Sequence, residues 1–556
     1  MNKKVCSFPI LFALLALLIG TCAVVFPASA QAAPTSTGSI TVSGTVASSY
    51  DVYQIFSANV VDGDSDAKIA TDLAWASDAV RDAVLPVLHS AGMPNSQTTA
   101  QEAAEWLNTD SHLTSALSAQ LARSLQSSGA VPVALNAGTA AELPCGYWLI
   151  VADDDAIAQG EVGTAPIMAL VGGSAVTVKP KAATPKVAKH VLEDSTAAWQ
   201  KAADATVADD LYWRLSATVP AGLAAYDTYT VRFVDTMSAG LDPSKVAASM
   251  HVYVAAGADG GFDAVSADKD GRAGTDPAKG WTDITAQCAT KVAADGKTFT
   301  VRTGDLIAAL GGVDAFTAGA RVVAVYNAPL NSACNHGIAK GNPNEVYLRY
   351  PRSPFADQSG DAGFTRTPSD DACAYTWDLA LTKRGSDGDK PLAGAVLSIA
   401  DDRGRTLAAD GTWDAEGKAT VTTGEDGRVT VSGVDSGKLE VRELKAPKGY
   451  TAFEGARSVT VKAEGLDVDQ VAAAKPKLTI TAESPLRADS ADGSTGSLEA
   501  SLINTPTGTP PSITTGGFMP STGDMAMYAA AAAAVAGAAL IVVALLVKRG
   551  GGSHKE

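Results

Sequence analysis

Three short segments in the last third of this 556-residue chain carry residue types that can make a covalent bond. Leu379-Ala380-Leu381-Thr382-Lys383 ends on an amine, Leu502-Ile503-Asn504 ends on a carboxamide, and Leu439 to Tyr450 carries carboxylates between them. A lysine in water, with a pKa near 10, is protonated and is no nucleophile. Burial in an apolar core lowers that value by up to about 3–5 units. The same burial raises a carboxyl group, which can then polarise an amide carbonyl and hand protons to departing ammonia. A side-chain amide of asparagine loses that ammonia irreversibly. On an ordinary β domain the same residues read as a solvated edge lysine and a surface acid.

Read together, the three segments closely resemble the collagen-adhesin B-type domain of Gram-positive surface proteins. The stretch Glu443-Leu444-Lys445-Ala446-Pro447-Lys448-Gly449-Tyr450 matches that family's E-x-x-A-P-x-G-Y segment. The resemblance implies an intramolecular isopeptide bond, with Lys383 as nucleophile, Asn504 as electrophile and Glu443 as proton shuttle. Trp377 and Tyr450 are the expected dry wall around it. A second set lies upstream: Lys189 within Pro185 to Val191, Asp235 within Phe233 to Ser238, and Asn342 and Asn344 within Gly341 to Leu348. This set resembles the companion sandwich of pilus shafts. It implies Lys189, Asp235 as shuttle, and Asn344 in preference to Asn342, although the family's Y-S-N-N-P continuation is here Tyr350-Pro351-Arg352.

Two further signals concern joining one chain to another. Met519-Pro520-Ser521-Thr522-Gly523 resembles the L-P-x-T-G sorting signal of sortase substrates, with Met in place of Leu. It precedes an apolar run from Ala526 to Val547 and then Lys548-Arg549. That run is long enough for a bilayer core needing roughly 20 helical residues, with basic residues holding the tail in the cytoplasm. Val176-Thr177-Val178-Lys179-Pro180-Lys181 resembles the pilin motif W-x-x-x-V-x-V-Y-P-K, with Gly172 for Trp and Lys179 for Tyr. By position the acceptor amine is Lys181. The implied chemistry is attack of a sortase cysteine on Thr522, then resolution of the acyl-enzyme by Lys181 of the next copy.

The elements that must place these residues follow from periodicity. Residues 1–30 read as a signal peptide: Lys3 and Lys4, an apolar run, then Ala28-Ser29-Ala30, with cleavage after Ala30 or alternatively Ala33. Residues 38–181 form an expected α+β N-terminal domain ending in the pilin motif. Its helices are Ala70 to Leu88 and a second opened by the capping box Thr99-Ala100-Gln101-Glu102. Residues 182–370 and 371–506 alternate in short runs between Gly, Asp and Pro turns, as tandem Ig-like β-sandwiches do. Residues 507–523 form a linker with the sorting motif, and 524–556 a transmembrane helix with a basic tail.

Composition narrows the function classes. The net charge is −17, and about −20 once both ends are removed, which disfavours nucleic acid and anionic lipid. No C-x-x-C, H-E-x-x-H, phosphate loop or nucleophile–His–acid motif is present, and the six histidines are scattered, so neither metal, cofactor nor enzyme activity on other molecules is expected. Asp62, Asp64 and Asp66 lack the Gly and Glu of a calcium loop and read as a solvated turn. Cys288 and Cys334 are the preferred disulfide, with Cys145 and Cys373 left open. The whole resembles a sortase-assembled Gram-positive major pilin. It implies a secreted, wall-anchored shaft subunit, with a membrane-held precursor, stabilised by internal isopeptide bonds. Its implied partners are a pilus-specific sortase, copies of itself, peptidoglycan through a housekeeping sortase, minor pilins, and a host or bacterial surface ligand. The competing reading is a wall-anchored adhesin that does not polymerise.

Overall fold

The computed structural model describes residues 36–508 except 65–66, 110, 181–182, 269–271, 317 and 410–411. The signal peptide, Lys181, the sorting motif and the apolar C-terminal run lie outside the described residues. The protein is mainly β, with sandwich-like units in tandem after an α+β unit.

In the first unit the long strand Ser49–Asp62 is central, paired with Lys68–Trp75, Gly146–Ala152 and Val133–Asn136. Its core packs against three helices through Val84, Leu88, Ala103, Leu121 and Leu125. The first helix begins later than its periodicity predicts. Lys68–Trp75 is a strand, and the helix spans Asp78–Ser90, where Ser77 accepts from the Val80 amide. The side-chain cap from Ser77 sets the helix start, and the residues before it pair with Ser49–Asp62 as a strand. The expected capping box forms: Thr99 Oγ1 accepts from the Glu102 amide at 3.2 Å, and Glu102 Oε2 accepts from the Thr99 amide at 3.0 Å. The third helix, Ser115–Ser127, was not legible as a separate element, though Thr114 caps it and Leu117, Leu121 and Leu125 line one face.

A second small sheet carries the end of this unit. Val176–Val178 runs parallel to Thr37–Val42, with Ile40 opposite Val176 and Val42 opposite Val178. The turn before it is pinned by Asp62, whose carboxylate accepts from the Ser174 amide at 2.9 Å. Gly172 and Gly173 have φ of +132° and +61°. A Cβ on Gly172 would meet Val60 at 2.6 Å and Cys145 at 2.8 Å, so the motif's tryptophan has no room here.

The second unit is two facing sheets. One runs in the order Ala198–Gln200, Lys186–Glu193, Tyr212–Val219, Ala320–Asn327, His251–Ala256, Thr282–Asp283. The other runs Ala202–Asp204, Asp370–Tyr375, Asn342–Pro351, Arg232–Met237, Thr298–Arg302, Ala289–Val292. The strand Asp370–Tyr375, which the sequence divides between two units, pairs with Asn342–Pro351 and buries Ala372 and Ala374 in the second, while Cys373 and Tyr375 pack with the core of the third. The closing strand of that sandwich is therefore Asp370–Tyr375, beyond the segment holding Asn344 and hydrogen-bonded to it. The third unit places Trp377–Gly385 between Arg428–Val434 and Ser497–Pro506, facing a sheet centred on Val396–Ala400, Gly437–Lys445 and Ala456–Glu464.

Only Thr376 separates the two sandwiches, and the junction is tied. His336 Nδ1 donates to Asp378 Oδ1 at 2.7 Å, Trp377 Nε1 donates to Asp204 at 2.6 Å, and Arg403 reaches Asp209 at 2.9 Å. The hydrogen bond to Asp378, then one to Cys334, raises the imidazole pKa from 6.5 to about 10. A raised folded value means that this stabilisation is fully present below about 6.5, the unfolded pKa. It is lost as pH rises through about 10. An NMR titration is expected to place the His336 midpoint near 10, and Asp378→Asn to return it toward the ordinary value.

Candidate functional site

Strand alternation puts one polar residue of each candidate set among inward apolar ones. On Lys186–Glu193 the inward positions are Lys189, Val191 and Glu193; on Arg232–Met237 they are Phe233, Asp235 and Met237. On Asn342–Pro351 they are Asn342, Asn344, Val346 and Leu348. The register sets Asp235 opposite Val346 and Met237 opposite Asn344, so Asp235 and Asn344 are diagonal neighbours on one face. Lys189 arrives from the facing sheet. All three are fully buried, and Lys189 Nζ forms an ion pair with Asp235 Oδ2.

Tyr326, which no sequence signal singled out, stands at the centre of this cluster. Its hydroxyl accepts from Lys189 Nζ at 2.9 Å and from Asn344 Nδ2 at 2.8 Å, and donates to Asp235 Oδ2 at 3.1 Å. Lys189 Nζ also lies 5.5 Å from the Trp213 ring centroid and 5.4 Å from that of Tyr326. These rings form the dry wall. Desolvation lowers the Lys189 pKa to about 8 against the opposing pull of Asp235, and desolvation raises that of Asp235. Asn344 Oδ1 has no hydrogen-bond partner, whereas Asn342 is fully engaged. Asn342 Nδ2 donates to Asn335 O at 2.9 Å and Ala374 O at 3.2 Å, and its Oδ1 accepts from the Asn335 amide at 2.9 Å. Asn342 holds a loop; Asn344 shares the Tyr326 hydroxyl with the Lys189 amine.

The third unit assembles the same residue types differently. Lys383 and Asn504 lie on adjacent parallel strands, Lys383 opposite Leu502 and Gly385 opposite Asn504. Glu443 comes from the facing sheet, inward with Leu439 and Val441. One carboxylate oxygen, Glu443 Oε1, lies 3.4 Å from Lys383 Nζ and accepts from Asn504 Nδ2 at 2.9 Å. Its other oxygen accepts from the Phe453 amide at 3.2 Å. Burial lowers the Lys383 pKa to about 8, with Glu443 opposing. Asn504 Oδ1 is left without a partner.

Two expectations do not hold. Trp377 does not wall the Lys383 cluster. Trp377 lies six residues up the strand, roughly 20 Å away at strand rise, and its indole serves the junction. The Tyr450 hydroxyl donates to Asp387 at 2.8 Å. Nor do Cys288 and Cys334 pair: all four cysteines between 36 and 508 are free. Cys288 starts the edge of one sheet, its thiol on Ile284 O at 3.2 Å, while Cys334 packs in the loop beside Gly240 and His336. Burial pushes the thiols of Cys288 and Cys373 up to about 11, which disfavours the reactive thiolate. Lys179, two residues before Lys181, is exposed at the end of the Val176–Val178 strand.

Fold and clusters thus define a mainly β protein of tandem sandwiches, each of the last two enclosing a buried cluster of a lysine, an acid and an asparagine. Residues 378–475 match the family described as SpaA, a prealbumin-like fold domain. The trypsin-resistant surface T6 protein of Streptococcus pyogenes is 31% identical over 134 residues, covering 23% of this chain and 23% of that protein. The match spans less than a quarter of that relative's length. Among solved structures the chain is similar to the T6 backbone pilin of serotype M6 Streptococcus pyogenes. Identity there is 16%, coverage 85% of this chain and 98% of that one, and the TM-score 0.44. It is also similar to the full-length major pilin SpaD of Corynebacterium diphtheriae, with 15% identity, 85% and 98% coverage and a TM-score of 0.40.

Asn342→Ala is expected to lower the stability of the second unit by about 1–3 kcal/mol in denaturant unfolding, because Asn335 and Ala374 lose buried partners. In denaturant without reductant, Cys145, Cys288, Cys334 and Cys373 should all react with a thiol reagent.

Proposed function

We propose that this chain is the shaft subunit of a covalently polymerised pilus, its last two sandwiches each locked by a lysine–asparagine isopeptide bond. The observation that carries this reading is the pair of buried clusters in successive domains. A fully buried lysine facing a carboxyl group and a carboxamide has little value as an ion pair, since desolvation offsets most of the attraction. It is well arranged for acylation.

In the third domain the neutral Lys383 amine attacks Cγ of Asn504. The Nζ–Cγ bond forms and the Cγ–Nδ2 bond breaks. Glu443 takes a proton from Nζ and delivers one to Nδ2, which leaves as ammonia. Its Oε1 already lies within 3.4 Å of both nitrogens. The second domain uses Lys189, Asp235 and Asn344. Each bond closes a loop of more than about 100 residues, for which the loss of unfolded-state entropy, by analogy with a disulfide, is roughly 4–5 kcal/mol. It also carries tension: Lys383 and Asn504 sit on adjacent first and last strands of the third domain, so pulling force crosses one linkage rather than the whole sandwich.

Between subunits, a pilus-specific sortase cleaves between Thr522 and Gly523 and joins Thr522 to the Lys181 amine of the next copy. A housekeeping sortase links the base of the polymer to peptidoglycan. The protein is therefore a substrate and a structural element, at the cell surface, with minor pilins and a surface ligand as further partners. The exposed end of the Val176–Val178 strand, anchored through Asp62 and Ser174, supports acylation at this boundary.

Intact mass of the mature chain should fall short of its sequence mass by two ammonia molecules. Lys383→Ala or Glu443→Ala should restore one, and Lys189→Ala or Asp235→Ala the other. Wall extracts should show a ladder of detergent-resistant, high-mass species that collapses to a single band in Lys181→Ala. A single band in the unaltered strain would favour the adhesin reading.

A further inference from the structure

The acid reaches the two nitrogens directly in one cluster and not in the other. Glu443 Oε1 contacts both the attacking and the leaving nitrogen. Asp235 pairs with Lys189 but makes no hydrogen bond to Asn344, whose Nδ2 is instead bonded to Tyr326. The cause is topological. Glu443 faces its lysine and asparagine from across the sandwich, whereas Asp235 lies on the strand beside Asn344, diagonal positions being about 7–8 Å apart. Aspartate is also one methylene shorter than glutamate. The gap between Asp235 and Asn344 is occupied by a single hydroxyl in contact with all three partners.

Resting on the isopeptide reading, we infer that Tyr326 is a further catalytic residue of the second domain, relaying the proton from Asp235 to the departing nitrogen of Asn344. Lys189 Nζ attacks Asn344 Cγ and gives a proton to Asp235 Oδ2. Asp235 then passes a proton to the Tyr326 oxygen while the phenolic proton moves to Nδ2. The Cγ–Nδ2 bond breaks, ammonia leaves, and acid and phenol end in their starting states. Aspartate plus tyrosine does here what glutamate does alone in the third domain.

The surroundings suit a relay. The Tyr326 ring is fully buried and held edge-on to Phe299 at 4.8 Å between centroids, so its hydroxyl cannot swing away. Burial also keeps the phenol well above its ordinary pKa, so it stays neutral, with one proton to give and a lone pair to receive. Trp213 closes the remaining side of the lysine.

The test follows the Lys189–Asn344 and Lys383–Asn504 linkages by peptide mapping at intervals after synthesis of the full chain. The second linkage serves as an internal clock. In Tyr326→Phe, formation of the first is expected to slow by about 10²-fold or more, the range of general acid–base catalysis, with the second unchanged. Adding Asp235→Glu to that variant lengthens the acid toward Asn344 and should recover much of the rate, which a packing role for Tyr326 does not predict. Formation at the unaltered rate in Tyr326→Phe, or no recovery in the double variant, overturns the relay and leaves the isopeptide reading standing. Absence of the Lys189–Asn344 linkage from the unaltered chain overturns the reading itself. Should Tyr326→Phe leave the second domain protease-sensitive, 3-fluorotyrosine at position 326 changes phenol acidity at nearly constant shape. An altered rate then supports the relay, and an identical one overturns it.

Discussion

A primary amine held without water between two β-sheets is the constraint on which this structure turns. Lys189 and Lys383 are both fully buried, in sandwiches whose other inward positions are Val, Leu, Phe, Tyr and Trp. An isolated ammonium in such a place is expensive, and the group responds by giving up its charge more readily. Each amine therefore has a carboxyl group that can hold the proton and a carboxamide within the same enclosure. Remove the sheets' register and the three groups separate into ordinary surface residues.

The two sandwiches meet this constraint with different geometry. In the third, lysine and asparagine share a sheet and the acid faces them; in the second, acid and asparagine share a sheet and the lysine faces them. The first arrangement joins neighbouring parallel strands. The second joins opposite sheets, with Asp370–Tyr375 lying outside the loop that Lys189 and Asn344 would close. Under the proposed shaft reading, load entering through Tyr375 would reach Asn344 by way of the backbone hydrogen bonds between those two strands. The junction at Thr376 is tied by His336 on Asp378 and Trp377 on Asp204.

Much of the fold was readable because inward and outward residues alternate with period two. Leu379-Ala380-Leu381-Thr382-Lys383 and Leu439-Glu440-Val441-Arg442-Glu443 state which residues share a face before any partner strand is known. The capping box at Thr99 was equally legible, being a contact between residues three apart. Failures occurred where a contact spans many residues. The Cys288–Cys334 pairing assumed proximity from membership in one domain, yet one thiol sits at a sheet edge and the other in a distant loop. Trp377 shares a strand with Lys383, but a strand carries its residues apart as quickly as backbone geometry allows.

What the amino-acid order determined by itself was the set of residue types and the face each occupies on its own strand. Those are local properties, set by side-chain chemistry and backbone alternation. Tertiary structure alone decided which strands lie side by side, that Asn342 is tied to Asn335 and Ala374, and that Tyr326 stands between Asp235 and Asn344. Such facts depend on the register between separate strands, which no one segment carries. A shift of one position in that register would turn every one of these groups toward water.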